Sequence, residues 1–146
     1  MNVYWFQDSK TGHLKQVQAL LDQLKKEIEI SIITINVTNQ ESFSKIFANQ
    51  DQFDGPTLLL GAGHEVYSKI LQAKKYLMKT ISKDLFSIAV LRPSYKLSSF
   101  DLIIAPAHDF RKRRIPENVI PFQGSLSATS QNPVDENKAI IAIGGP

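Results

Sequence analysis

Short runs of β-favouring residues alternate with amphipathic helical stretches along most of this chain, and no other feature limits its fold as much. Asn2 to Phe6 (NVYWF) opens the series as a strand. His13 to Lys26 then carries Leu14, Val17, Leu20, Leu21 and Leu24 at helical spacing, the stripe of a helix laid against a sheet. Ile28 to Val37 (IEISIITINV) is rich in β-branched residues and reads as a second strand. Glu41 to Ala48 reads as a short helix capped at Thr38 or Asn39. Pro56 to Leu60 starts a third strand that runs into Gly61-Ala62-Gly63, and Glu65 to Met78 follows as a helix. Phe86 to Leu91 is a fourth strand stopped by Arg92-Pro93, and Asp101 to Ala105 a fifth. Asn118 to Phe122 is a sixth, with Pro121 suited to a sheet edge. The alternation predicts an α/β, Rossmann-like three-layer domain with a mostly parallel sheet.

A chain of 146 residues suits one such domain, with a core that needs no metal or disulfide to hold it. The lack of cysteine excludes a disulfide scaffold, thiol catalysis and thiolate zinc sites. No apolar run approaches the roughly 18 residues that span a bilayer. The start, MNVYWFQDSK, lacks the basic region and apolar stretch of a secretory signal, so a cytoplasmic protein is expected.

The composition changes after Gly124. Residues 1–124 read as the folded domain, and 125–137 (SLSATSQNPVDEN) as a linker with little to bury. Residues 138–146 (KAIIAIGGP) read as a strand and glycine turn, either opening a second domain or pairing as a last strand with this one.

All three histidines follow strand-like runs: His13 after NVYWF, His64 after TLLLGAG, and His108 after DLIIAPA. In a parallel sheet the carboxyl ends of the strands share one edge, where ligands bind, so the histidines should gather on one rim. The first loop offers Asp8, Ser9, Lys10, Thr11, Gly12, His13 and Gln16 between a strand and a helix. Such a loop can hold an anion on backbone N–H groups and the helix dipole, or can be a simple capped turn. It lacks the GxxxxGK[ST] pattern of a P-loop. The second loop, Gly61-Ala62-Gly63-His64, begins like a dinucleotide fingerprint, but Val66 replaces its third glycine. The third pairs His108 with Asp109, either an acid–base couple or a polar turn. Dispersal of the histidines over three loops argues against a zinc site, and no resident cofactor is expected.

The sharpest basic feature is Arg111, Lys112, Arg113 and Arg114. Such a run is a solvated loop or a contact for phosphates or an anionic membrane surface. Without interleaved aromatics it does not point to nucleic acid.

At these motifs the chain resembles a known family. Asp8 to Leu20, Gly61 to Val66, Phe100 to Asp109, Glu117 to Leu126 and Ala139 to Pro146 are similar, in the same order, to the blocks of the mitochondrial fission (elongated-mitochondria) family. Bacterial members of that family carry a nucleoside-diphosphate-sugar epimerase label. The family is similar to two-domain GT-B glycosyltransferases, whose Rossmann-like halves face each other across a cleft. The resemblance implies that this chain is the acceptor-side N-terminal domain, with the C-terminal donor domain cut off after its first strand and transfer absent from the chain alone. Carried over residue by residue, it puts Asp8, Gly12, His13 and Gln16 in the first loop, Gly61 in the second, and His108 with Asp109 in the third. It departs at His64, where a basic residue such as Arg is expected, and at the basic run.

Two functions follow. As a glycosyltransferase-like domain, the chain would use His13 as general base and Asp8 as its orienter or substitute. Gly61, Gly63, His64, His108 and Asp109 would line a site for a nucleotide sugar or acceptor. As an interaction module of the fission type, it would act at a membrane surface through the basic run. An epimerase would need bound NAD and usually a Tyr-x-x-x-Lys pair, and no tyrosine here has lysine four residues on.

Overall fold

A computed structural model of the chain describes residues 1–38, 55–80, 84–111 and 114–127. The helix expected over Glu41 to Ala48, most of the linker, and the strand expected over Lys138 to Ile143 lie outside them. The described elements are β1 (Asn2–Gln7), α1 (Thr11–Glu27), β2 (Ser31–Asn36), β3 (Thr57–Ala62), α2 (His64–Thr80), β4 (Leu85–Val90), β5 (Leu102–Pro106) and β6 (Val119–Phe122). Two short 3₁₀ turns, Leu97–Ser99 and Ala107–Phe110, flank β5.

The strands form one six-stranded sheet in the order β2-β1-β3-β4-β5-β6. Every pairing is parallel. The expected α/β architecture is the observed one, and among the described strands Pro121 lies on an edge, exposed to solvent.

Alternation along β1 assigns the two faces, because successive side chains point to opposite sides. Val3 and Trp5 pack with Val17 and Leu21 of α1, while Tyr4 and Phe6 pack with Val66, Tyr67, Ile70 and Leu77 of α2. The two helices therefore cover opposite faces. β3, buried at every position, lies between both layers, as a continuous apolar strand must.

A polar tie fixes α2 to the far half of the sheet. Lys74 Nζ reaches Asp101 Oδ2 at 2.8 Å and Ser87 Oγ at 3.1 Å. Asp101 Oδ2 also accepts from the Ser87 backbone N–H and hydroxyl at 2.8 and 2.7 Å. Burial alone would raise the Asp101 carboxyl, but the bonds from Lys74 and Ser87 outweigh it and hold the group below its ordinary value.

Several boundaries differ from the sequence expectation. α1 begins at Thr11, ahead of His13, so that histidine sits inside the first turn. β2 starts at Ser31, because Ile28 is the extended residue that closes α1. β4 stops at Val90, one residue early, since Leu91 adopts φ 69° and turns the chain before Pro93 is reached. Among the described residues no helix is long and apolar enough to cross a membrane.

Candidate functional site

The strand order reverses at β1. Its helix leads to β2 on one side, while β3 and its helix lead away on the other. At such a switch point the two following helices diverge over opposite faces and leave a crevice above the carboxyl ends of the strands. The three histidines do stand on this one edge, after β1, β3 and β5.

Their surroundings differ sharply. Asp8, the residue after β1, is buried, and its Oδ2 lies 2.7 Å from His13 Nδ1. Its other oxygen accepts the Lys10 backbone N–H at 3.1 Å, which closes the turn into α1. A carboxylate only accepts, so Nδ1 is the donor and Nε2 keeps the free lone pair of the neutral ring. His13 remains partly open to solvent, with a side chain 22% exposed against 8% for Asp8. One carboxylate oxygen of Asp8 thus closes the turn into α1, and the other meets the histidine.

Gly63 closes the arrangement from the neighbouring strand. Its φ of 111° suits only glycine, and a Cβ there would run into Asp8 Oδ2 and lie 2.8 Å from His13 Nδ1. Gly61 also has a packing reason, since a Cβ would meet Val66 Cγ1 and the Phe6 carbonyl. It brings β1, β3 and α2 together and offers no surface of its own. Gly12 has neither constraint; a Cβ there meets nothing within 4 Å. Ser9, Lys10 and Thr11 are exposed around the pair, and Gln16 turns back to the Gly12 carbonyl at 3.5 Å.

His64 opens α2 and is exposed, with Ser94 Oγ 3.2 Å from its Nδ1 and the Tyr95 ring edge-on at 5.2 Å. His108 Nε2 lies 3.5 Å from Asp109 Oδ1 with its side chain 58% exposed, a loose pair by comparison with the first. Arg111 and Arg114 are exposed; Lys112 and Arg113 fall outside the described residues. No group of three or more His, Asp or Glu side chains is placed to hold a metal ion among the described residues.

Three further residues belong to this rim and were not singled out from the sequence. Tyr67 donates its hydroxyl to the Val90 carbonyl at 2.7 Å and meets the Leu91 carbonyl at 3.2 Å. Burial pushes that hydroxyl up to about 12; the Gly63 backbone N–H works against the rise, and the charges of Asp8 and Asp109 add to it. Leu91 and Arg92 follow β4, where the strand-end rule applied to the histidines would have marked Arg92. A groove of about 790 Å³ lies beside the pair and not over it: Trp5, Gly12, Gln16 and Leu126 line it, but neither Asp8 nor His13 does.

Comparison with curated proteins and with solved structures returned no match. A family model does match, over residues 11–144, and nearly the whole described fold falls within it. The chain belongs to the mitochondrial fission ELM1 family.

Proposed function

We propose that this chain forms the acceptor side of a glycosyl-transfer cleft, with His13 as general base and Asp8 as the group that orients it. The observation that carries the reading is the 2.7 Å contact between His13 Nδ1 and the buried Asp8 carboxylate at the switch point. Asp8 holds the tautomer in which Nε2 is free, and stabilises the imidazolium formed when Nε2 takes a proton. An acceptor hydroxyl placed at Nε2 would lose that proton as its oxygen bonds to the anomeric carbon of a nucleotide sugar. The bond from that carbon to the diphosphate oxygen breaks in the same step, and the diphosphate leaves with the electron pair. General-base help of this kind contributes about 10²–10⁴ in rate.

Transfer also needs a site for the donor, and the family resemblance supports placing it on a second domain. Nucleotides and nucleotide sugars, screened by thermal shift, should therefore stabilise a version extended through that domain more than residues 1–146 alone. Turnover of a nucleotide sugar by the 146-residue chain would overturn the acceptor-side reading. Stabilisation of neither form would favour an interaction module, for which exposed Arg111 and Arg114 offer a basic surface to anionic lipid.

A further inference from the structure

Arg92, a described residue of the rim, has its chemistry only half used. Its backbone is held on both sides. Leu91, at φ 69°, donates its N–H to the Ile104 carbonyl at 2.8 Å and receives the Tyr67 hydroxyl on its own carbonyl. A leucine in that region costs about 1–3 kcal/mol and persists only where its neighbours hold it. Pro93 follows, fully buried. The turn after β4 therefore sets where the Arg92 side chain starts, and strain is spent on setting it.

The guanidinium carbon lies 5.3 Å from the centroid of the buried Phe110 ring, so one face of the group is covered by an aromatic. The donor edge is not matched. Nε is buried and has no hydrogen-bond partner, and no ion pair to Arg92 occurs among the described residues. Arginine carries five N–H donors in a rigid fork, and a buried donor without a partner is costly. The carboxylates on the rim do not fill the gap. Asp8 spends both oxygens on Lys10 N–H and His13, and Asp109 faces His108.

We infer that Arg92 is an anion-binding residue of this rim: a rotation of its half-buried side chain against Phe110 uncovers the unpaired Nε edge, which then takes a phosphate oxygen of the ligand. Nε and one terminal nitrogen form the fork that meets an oxyanion with two parallel bonds. The inference rests on reading the strand-end rim as a ligand cleft. Adjacent strands are about 4.8 Å apart and β3 alone separates β1 from β4, so the loops that carry His13 and Arg92 leave strands roughly 10 Å apart on the same edge. That phosphate belongs either to a phosphorylated acceptor or to the diphosphate of a nucleotide donor.

The test uses the ¹³C,¹⁵N-labelled full chain, with the Arg92 Nε–Hε resonance assigned by through-bond correlation to its own backbone amide. Inorganic phosphate, glucose 6-phosphate and UDP are titrated at constant ionic strength. A saturable shift of this resonance with phosphate is expected. Arg92→Lys should weaken binding about tenfold or more, the worth of one or two charge-assisted hydrogen bonds. Tighter binding of glucose 6-phosphate assigns the anion to the acceptor, and tighter binding of UDP to the donor. An Arg92 resonance in the unmodified chain that fails to move with phosphate overturns the inference, whether or not the variant folds. Asp8→Asn should leave the Arg92 response intact, so a failure of the His13 mechanism and a failure of this site read out separately.

Discussion

At the scale of single residues, the site depends on an absent side chain as much as on those present. Gly63 is the only residue type that can stand at φ 111° beside Asp8 and His13 without displacing them. Gly63→Ala should lower the unfolding free energy by about 2 kcal/mol, from the strained backbone together with the clash. Urea denaturation measures it, and an unchanged midpoint would mean that the pair moves aside freely. The sequence shows glycines in GAGH, but periodicity cannot say which one faces the neighbouring loop. Asp8 and His13 were both legible as strand-end polar residues. What was not legible is that Asp8 turns away from solvent, because that orientation depends on Gly63, after a strand some fifty residues downstream. Tyr67 reads in sequence as one more member of an apolar helix face, which it also is; only the meeting of α2 with the end of β4 gives its hydroxyl a partner. Leu91 carries no sequence signal at all, since leucine is among the residues least suited to positive φ.

At the scale of elements, the strands and helices that fall on described residues match the sequence reading in type and are shifted at their ends. The shifts have local causes: capping by backbone at Ile28, and a turn imposed at Leu91 by bonds to β5 and α2. The tie between α2, β4 and the turn before β5 was invisible, because Lys74, Ser87 and Asp101 are unremarkable polar residues until packing brings them together. Asp101→Asn removes the charge that Lys74 and Ser87 converge on, and should cost about 2 kcal/mol at neutral pH. The sign with acid follows from the lowered carboxyl value. Its stabilisation is complete above the ordinary range near 4, and fades as pH falls through the lower folded value. Stability curves of the two forms should therefore converge in acid. Curves that stay parallel would show that the ion pair adds nothing beyond shape.

At the scale of the whole molecule, Tyr67 links the site to alkaline stability. A hydroxyl that titrates near 10 when unfolded and about 12 when folded keeps its proton longer in the native state. Stability is then unaffected below pH 10 and falls as pH rises from there towards 12, by about 2–3 kcal/mol in all. Tyr67→Phe should begin about 1 kcal/mol less stable at neutral pH, having lost a buried hydrogen bond, and should lack this share of the alkaline decline. Unfolding followed by circular dichroism across that range decides it; an equal decline in both proteins would point to other groups. The sheet order has a further consequence, for synthesis. β1 holds the centre of one half of the sheet, yet its partner β3 is made about 55 residues later. At roughly 5–20 residues per second, the strand bearing Val3, Tyr4, Trp5 and Phe6 waits several seconds on the ribosome before its second neighbour exists. A nascent chain halted before Ala62 would carry that strand half-paired, as a target for chaperones.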